Sequence, residues 1–187
     1  LTLSSATVIS TWIELGECVA RAGVKKLVLF NSHGGQVSLM DIVARELRNR
    51  CDMLVYSSSW YSLPLGVAVD GLFPAEEHRF GIHAGDIETS MMLALRPQYV
   101  AMAQARKFAS TSQDRAVNCT VLGNGKSAKL GWAMQDYNPA GAVGNAAAAT
   151  AEKGRVVVDA AGLQLAALLQ ELSTLPMSTL HRGPVNG

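Results

Sequence analysis

The chain has 187 residues, of which 49% are hydrophobic and 17% charged, and its formal net charge is +1. This length and composition are typical of one globular domain with a packed core, and they argue against a disordered chain. Because the charge is near zero and no basic run is present, we expect no nucleic-acid partner.

The first four predicted elements alternate between helix and strand. Residues 4–23 predict a helix, since apolar residues recur at helical spacing between a candidate N-cap, Ser4, and a stop signal, Gly23. The next elements are a strand over 26–31, a helix over 38–50 and a strand over 51–59. This rhythm is typical of a parallel sheet with crossover helices, and it predicts an α/β fold.

Residues 60–80 predict a long irregular segment, because prolines and glycines interrupt any periodic pattern. Loops of this length are commonly binding loops or lids. A helix is predicted over 85–97, where acidic and hydroxyl side chains occupy the first turns and Pro97 ends the helix.

Residues 108–145 are rich in serine, glycine and asparagine, and they predict a second long loop with one short strand. Residues 146–175 predict a long helix, with an interruption expected near Gly154 or Gly162. This helix is a candidate core element or oligomer contact. The tail after Pro176 is predicted to be loose.

Cysteine usage and hydropathy bear on the compartment. Cys18, Cys51 and Cys119 show no CxxC spacing and are odd in number, which argues against a disulfide framework or a zinc knuckle. Such usage is typical of a reducing compartment. No stretch approaches the roughly 20 apolar residues that cross a bilayer, and no secretory signal is visible. We therefore expect a cytoplasmic protein without a membrane partner.

A histidine follows the first predicted strand, in the segment "LFNSHGGQV" (29–37). His33 lies where the strand gives way to a helix, and in open α/β sheets ligands bind beyond the carboxyl ends of the strands. The alternative is a polar turn whose glycines serve only backbone freedom. The segment alone leaves both interpretations open.

A second polar cluster lies in "EEHRFGIHAGDIETS" (76–90), where His78, His83, Asp86 and Glu88 fall within fifteen residues. Imidazole and carboxylate are the ligand set of zinc, manganese or iron(II). The alternative is a solvated helix N-terminus, where acidic residues are favoured by the helix dipole. Asp86 fits that second role better than the role of a ligand.

Two other motif matches fail. The segment "GNGKS" (123–127) resembles the end of a phosphate-binding loop, but Thr120 stands where the motif requires glycine. The "HGG" of residues 33–35 is similar to the oxyanion loop of lipases, yet the chain has no GxSxG nucleophile elbow. A serine-type α/β hydrolase is therefore disfavoured.

Three ordered segments resemble the creatininase, or creatinine amidohydrolase, family. "NSHGGQ" (31–36) resembles its NGHGGN signature, with Ser32 and Gln36 as mild departures. "HAGDIETS" (83–90) resembles HAGExETS, and "GAVGNAAAATAEKG" (141–154) is similar to a glycine-rich segment before the family's last helix. The resemblance implies a three-layer α/β sandwich with a mostly parallel sheet flanked by helices. It also implies a homo-oligomer that hydrolyses amide bonds of small or cyclic C–N compounds.

The resemblance assigns roles to individual residues. His33 and Glu88 would be metal ligands, and His83 would handle protons as the catalytic residue. Trp60, Gly34 and Gly35 would contact the substrate. Creatininase proper has a glutamate at the position of Gly35, which makes creatinine itself a doubtful substrate.

The implied cofactor is a divalent metal, with zinc preferred and manganese or iron as alternatives. Such an ion would activate a water for attack on an amide carbonyl. His83 would then protonate the leaving nitrogen, which is the usual task of a general acid.

The family's remaining ligands come from an N-terminal segment resembling ExHGxHLPxxTD, and this sequence contains no such motif. We therefore expect a single creatininase-like domain over 1–187 that is incomplete at its N-terminus. As it stands, it should bind metal poorly and not catalyse, because a catalytic zinc normally has three protein ligands. The alternative hypothesis is a non-catalytic or degenerate α/β subunit that acts by assembly.

Overall fold

The computed structural model describes residues 2–181 and 183. Over these residues the chain forms seven α-helices and four strands. The helices are α1 (Ser5–Arg21), α2 (Val37–Cys51), α3 (Val67–Asp70), α4 (Ala75–Phe80), α5 (Asp86–Leu95), α6 (Thr111–Asn118) and α7 (Ala151–Thr174). The strands are β1 (Lys26–Asn31), β2 (Leu54–Ser59), β3 (Lys107–Phe108) and β4 (Gly144–Asn145).

The chain divides into two compact units. The terminal unit comprises Leu1–Pro64 and Ala161–Gly187, and the central unit comprises Leu65–Ala160. The single domain expected from the sequence stays a prediction. The residues of each unit contact mainly other residues of the same unit.

The terminal unit begins with the predicted α/β alternation. Helix α1 starts after Ser4, whose hydroxyl accepts a hydrogen bond from the backbone N–H of Thr7 at 3.2 Å. Strand β1 has the predicted bounds, and it pairs in parallel with β2 in a register that joins Asn31 to Ser59. Strand β2 starts three residues later than predicted, because Cys51 still belongs to α2.

The parallel pairing confirms the α/β class. Each sheet in the described residues has two strands, β1 with β2 and β3 with β4. The three-layer sandwich therefore stays a prediction.

The core of the terminal unit lies where α1 and α2 cover the parallel pair. Ile13 of α1 packs on Val43 and Leu47 of α2, and both α2 side chains are fully buried. Burying a side chain of this size stabilises the fold by about 1.5–3 kcal/mol. This packing holds α1 and α2 against β1 and β2, whose carboxyl ends lead into the His33 turn and Trp60.

The central unit differs from the sequence prediction in two segments. Residues 60–80 contain helices α3 and α4, and residues 108–145 contain α6 and end in β4. The prediction that these two segments lack helices is therefore wrong. These helices have eight residues or fewer, which is too short for an apolar face to recur in the sequence.

Helix α7 runs without interruption, so the break expected near Gly154 or Gly162 is wrong. A β-carbon at Gly154 would collide with the backbone carbonyl of Ser90 in α5. Gly154 is thus a packing residue that lets the two helices approach closely. Beyond Pro176, Met177–Thr179 form one 3₁₀ turn, and part of the predicted loose tail lies outside the described residues.

Helix α7 also corrects the expectation that no segment is apolar enough to cross a bilayer. Its 24 residues are long enough and apolar enough to cross a bilayer. Of its most apolar 18-residue stretch, 11% is buried. The core helix of a soluble protein meets the same criterion. Leu163 of this helix is 72% exposed.

Candidate active site

Asn31, the last residue of β1, organises the turn that carries His33. Its side chain is 1% exposed. Its oxygen accepts hydrogen bonds from the backbone N–H of His33 (3.0 Å) and from the side chain of Gln36 (2.9 Å). Its amide nitrogen donates to the carbonyl of His33 (2.7 Å) and to the hydroxyl of Ser59 (3.1 Å). The turn is therefore tied to both strands of the parallel pair.

The imidazole of His33 occupies space that Gly35 leaves open. A β-carbon at position 35 would lie 2.7 Å from Nε2 of His33, closer than real contacts allow. A β-carbon at position 34 would lie 3.8 Å from the hydroxyl of Tyr61, which is an ordinary van der Waals distance. In the described residues the His33 ring makes no hydrogen bond, and it is exposed at the sheet edge.

Trp60 and Tyr61 follow β2 at the same edge of the sheet, because β1 and β2 are parallel and Asn31 pairs with Ser59. Their rings pack edge to face with centroids 5.6 Å apart. The structure thus brings the sequence-predicted His33, Gly34, Gly35 and Trp60 to one edge of the terminal unit. The position of Tyr61 next to Gly34 was not predicted.

The central unit brings His83 and Glu88 into direct contact. Nδ1 of His83 lies 3.1 Å from Oε2 of Glu88, and both side chains are about half exposed. The same Oε2 accepts a hydrogen bond from the backbone N–H of Ala84 at 2.8 Å. Among the described residues, Oε1 of Glu88 and Nε2 of His83 have no hydrogen-bond partner. These two atoms remain available to a ligand.

Backbone contacts hold this pair in place. His83 and Val143 form an antiparallel bridge, in which Val143 donates to the carbonyl of His83 at 2.8 Å. Ala84 has a positive φ of 54°, a conformation that costs about 1 kcal/mol or more in a non-glycine residue. This turn directs the N–H of Ala84 toward Glu88, which lies in the first turn of α5.

Asp86 begins α5 and is a buried anchor, in agreement with its predicted role as a helix N-terminal residue. It is 1% exposed, and its carboxylate accepts hydrogen bonds from Lys153 (2.7 Å) and from the Ser90 hydroxyl (3.0 Å). Lys153 also donates to the carbonyl of Ala148 at 2.9 Å. Buried charges require this kind of pairing. The network attaches α5 to the first turn of α7.

Glu77 is a second buried carboxylate that sequence reasoning did not assign. It is 4% exposed and accepts hydrogen bonds from the backbone N–H groups of Asp86 (2.6 Å) and Asn145 (2.9 Å). The N–H of Asp86 is one of the unpaired donors at the start of a helix, and a carboxylate there is favoured by the helix dipole. No sequence signal separates Glu77 from its neighbour Glu76, because only tertiary contacts bury one of them.

His78 is positioned away from this pair, at the C-terminal end of α4. Its Nε2 lies 3.1 Å from the carbonyl oxygen of Asp70, and its ring packs edge to face on Phe73. His78 is exposed, and these two contacts, both within the central unit, are its only ring contacts among the described residues.

The donor chemistry of these residues fits part of a metal site. Within residues 2–181 and 183, no group of three or more His, Cys, Asp or Glu side chains lies close enough to hold a metal ion. The terminal unit provides the imidazole of His33, and the central unit provides the His83–Glu88 pair. Each unit thus supplies residue types that bind divalent metals, and in neither unit do the described residues form a cluster of three ligating side chains.

The protein-family model named Creatininase and described as creatinine amidohydrolase matches residues 1–169 of the chain. No curated protein matches the chain by sequence. The match includes all six predicted site residues.

Solved structures similar to the chain include creatininases. A putative creatinine amidohydrolase from Bacteroides fragilis NCTC 9343 has 25% identity and a TM-score of 0.71, with 94% of this chain and 65% of that chain covered. A mutant creatininase of Zn-Zn type and a creatininase Mn form each have 24% identity, with TM-scores of 0.64 and 0.65. Both alignments cover 91% of this chain and 65% of the other. The chain thus spans less than two thirds of the length of these relatives.

Proposed function

The chain belongs to the creatininase family, and from this premise we propose that it is part of a metal-dependent amidohydrolase that acts on small or cyclic C–N compounds. Family membership supports the hydrolase class, because the matching family is one of creatinine amidohydrolases. The substrate, the metal and the activity of the whole protein belong to the proposal.

The observation that carries the proposal is the contact between His83 and Glu88. A histidine whose Nδ1 contacts a carboxylate has its tautomer and ring orientation fixed, and its Nε2 is left to exchange a proton with substrate. We assign His83 the protonation of the leaving nitrogen of the amide. The half-exposed position of the pair gives substrate access.

His33 and Glu88 would contribute to holding the metal. Imidazole and carboxylate suit zinc, manganese or iron, and similar solved structures include a Zn-Zn type and a Mn form. When bound, a divalent ion supplies Lewis-acid activation of water and of an amide carbonyl. Oε1 of Glu88 is the oxygen that we expect to face the ion, since Oε2 is engaged by His83 and Ala84.

The test is hydrolysis of a panel of cyclic and linear small amides by the native gene product and by the 187-residue chain, with added Zn²⁺ or Mn²⁺. We expect turnover by the native gene product. Glu88→Gln and His83→Asn should reduce kcat at least about 100-fold, the scale of one general acid or one charged ligand. The matched control is Glu76→Gln, which removes a carboxylate that pairs with Lys107 on the surface of the central unit.

Two results would contradict the proposal. One is the absence of amide hydrolysis by the native gene product with either metal. The other is turnover that survives both site substitutions. Substantial activity of the 187 residues alone would overturn the narrower claim that this ligand set is incomplete.

A second candidate function is a non-catalytic subunit that acts by assembly. The specific observation in its favour is that no group of three or more ligating side chains exists within the described residues. The exposed Leu163 on α7 gives such a subunit an apolar contact. Retention of the His83–Glu88 contact, which assembly does not require, favours the enzyme.

The remaining sequence expectations extend the proposal. We infer a homo-oligomer, a cytoplasmic location and a small-molecule amide as the partner, without nucleic acid or membrane. The complete three-layer sandwich, with strands beyond the β1–β2 pair, belongs to the same proposal.

A further inference from the structure

A basic cavity lies in the central unit, outside the residues assigned to catalysis. It is open to solvent and has a volume of about 380 Å³, within the usual range for small-molecule sites. Four basic residues line it: Arg79, Arg115, Lys126 and Lys129. No aspartate or glutamate belongs to its lining.

The four cations are not neutralised by neighbours. In the part of the chain that the structure describes, none of them forms an ion pair with a carboxylate. Like charges around one cavity repel each other, so the arrangement is stabilised when an anion enters. The two arginines add geometric selectivity, because a guanidinium binds phosphate through two parallel hydrogen bonds.

Aromatic rings hold both arginines at the cavity. The guanidinium carbon of Arg79 lies 4.8 Å from the ring centroid of Phe80, and that of Arg115 lies 5.1 Å from the ring of Tyr137. Tyr137 packs edge to face on Trp132, with ring centroids 5.2 Å apart. Trp132 is 43% exposed, which leaves part of its indole to a ligand.

The "GNGKS" segment (123–127) contributes Lys126 to the lining of the cavity. The side chain of Asn124 accepts hydrogen bonds from the backbone N–H groups of Lys126 (2.8 Å) and Ser127 (2.9 Å), which fixes the turn that presents Lys126. This segment lacks the first glycine of a phosphate-binding loop, so its backbone does not form that motif. Its contribution is the charge of Lys126.

We infer that the basic cavity binds a small organic anion in which a phosphate monoester is attached to a planar ring. The doubly charged phosphate would face the four cations, and the ring would stack beside Trp132. A free carboxylate neutralises fewer of these charges and is the weaker ligand. Ile82, which precedes His83, lines the cavity, whereas His83 and Glu88 do not, so the anion site is separate from the residues assigned to catalysis.

The test is direct binding of phenyl phosphate to the chain by isothermal titration calorimetry, with inorganic phosphate, benzoate and benzyl alcohol as comparators. We expect phenyl phosphate to bind at least about tenfold more tightly than any comparator. The indole N–H signal of Trp132, identified with Trp132→Phe, should shift in ¹H–¹⁵N NMR spectra. The signals of Trp12 and Trp60 should not move.

Arg79→Gln with Arg115→Gln should weaken binding at least about tenfold. Lys126→Gln with Lys129→Gln should also weaken it, and this pair lies on an exposed segment where folding is not at risk. The matched control is Arg96→Gln, an exposed arginine at the end of α5 that does not line the cavity.

Three results would overturn the inference: no saturable binding up to about 10 mM phenyl phosphate, equal affinity for benzyl alcohol, or unchanged affinity in both double variants. Because binding is measured without turnover, any of them leaves the proposed amide hydrolysis untouched.

Discussion

Nδ1 of His83 lies 3.1 Å from Oε2 of Glu88, and the backbone N–H of Ala84 donates to the same oxygen at 2.8 Å. One carboxylate oxygen thus serves as the internal anchor of the pair. The other atoms with ligand-binding capacity, Oε1 and Nε2, are left without a partner among the described residues. In His83, Nδ1 holds the pair together and Nε2 is open to a ligand. In Glu88, Oε2 holds the pair together and Oε1 is open to a ligand.

The first prediction concerns the turn at His33. Gly35→Ala should displace the imidazole, because a β-carbon there would lie 2.7 Å from Nε2. Stability should change by less than about 0.5 kcal/mol, since the site is exposed. Ring ¹H–¹³C chemical shifts of His33 would report the movement. Gly34→Ala is the control, and equal shifts in both variants would refute the account of Gly35.

The second prediction concerns Asn31. Asn31→Ala removes four hydrogen bonds of a buried side chain and should cost about 2–4 kcal/mol of unfolding free energy. Ser59→Ala removes only one of them and should cost about 1 kcal/mol. Urea denaturation followed by circular dichroism measures both. Costs of the same size would show that Asn31 does not organise the turn.

The third prediction concerns the buried ion pair. Lys153→Met leaves the carboxylate of Asp86, which is 1% exposed, without its charged partner and should cost about 3–5 kcal/mol. The control is Lys107→Met, which breaks the exposed pair with Glu76 and should cost under about 1 kcal/mol. Urea denaturation compares the two. A cost for Lys153→Met no larger than the control would contradict the anchoring role.

The fourth prediction uses two glycines of one helix. Gly154→Ala should destabilise the fold by about 1–3 kcal/mol, because the new methyl group collides with the carbonyl of Ser90. Gly162→Ala meets no atom within 4 Å and should stabilise by about 0.4–1 kcal/mol. Thermal unfolding measures the direction of the stability change in each variant. If the two substitutions changed stability in the same direction, close packing at Gly154 would not be its reason.

Sequence reasoning succeeded where local signals were complete. The Ser4 cap predicts the start of α1, and the apolar run 26–31 matches β1. Local signals were insufficient for α3 and α4, whose four and six residues cannot show helical periodicity. For α6 a usable signal existed, since Ser110 and Gln113 have the spacing of a capping box and form its hydrogen bonds.

The site was predicted unevenly for a physical reason. His83 and Glu88 were both predicted as site residues, but their direct contact was not predicted, because it depends on the turn at Ala84. The roles of Glu77 and Asp86 depend on partners such as Asn145 and Lys153, which lie more than sixty residues away. No periodic pattern encodes such pairs. The basic cavity likewise collects residues from three separate segments.

The measurement that tests the central claim most directly is bound metal per chain, by elemental mass spectrometry, on the native gene product. We predict about one or two divalent ions in the wild type and in Glu76→Gln. His33→Ala and Glu88→Gln should lose them. Absence of metal from the wild type, or equal metal content in all four proteins, would contradict a metal-dependent hydrolase that uses these residues.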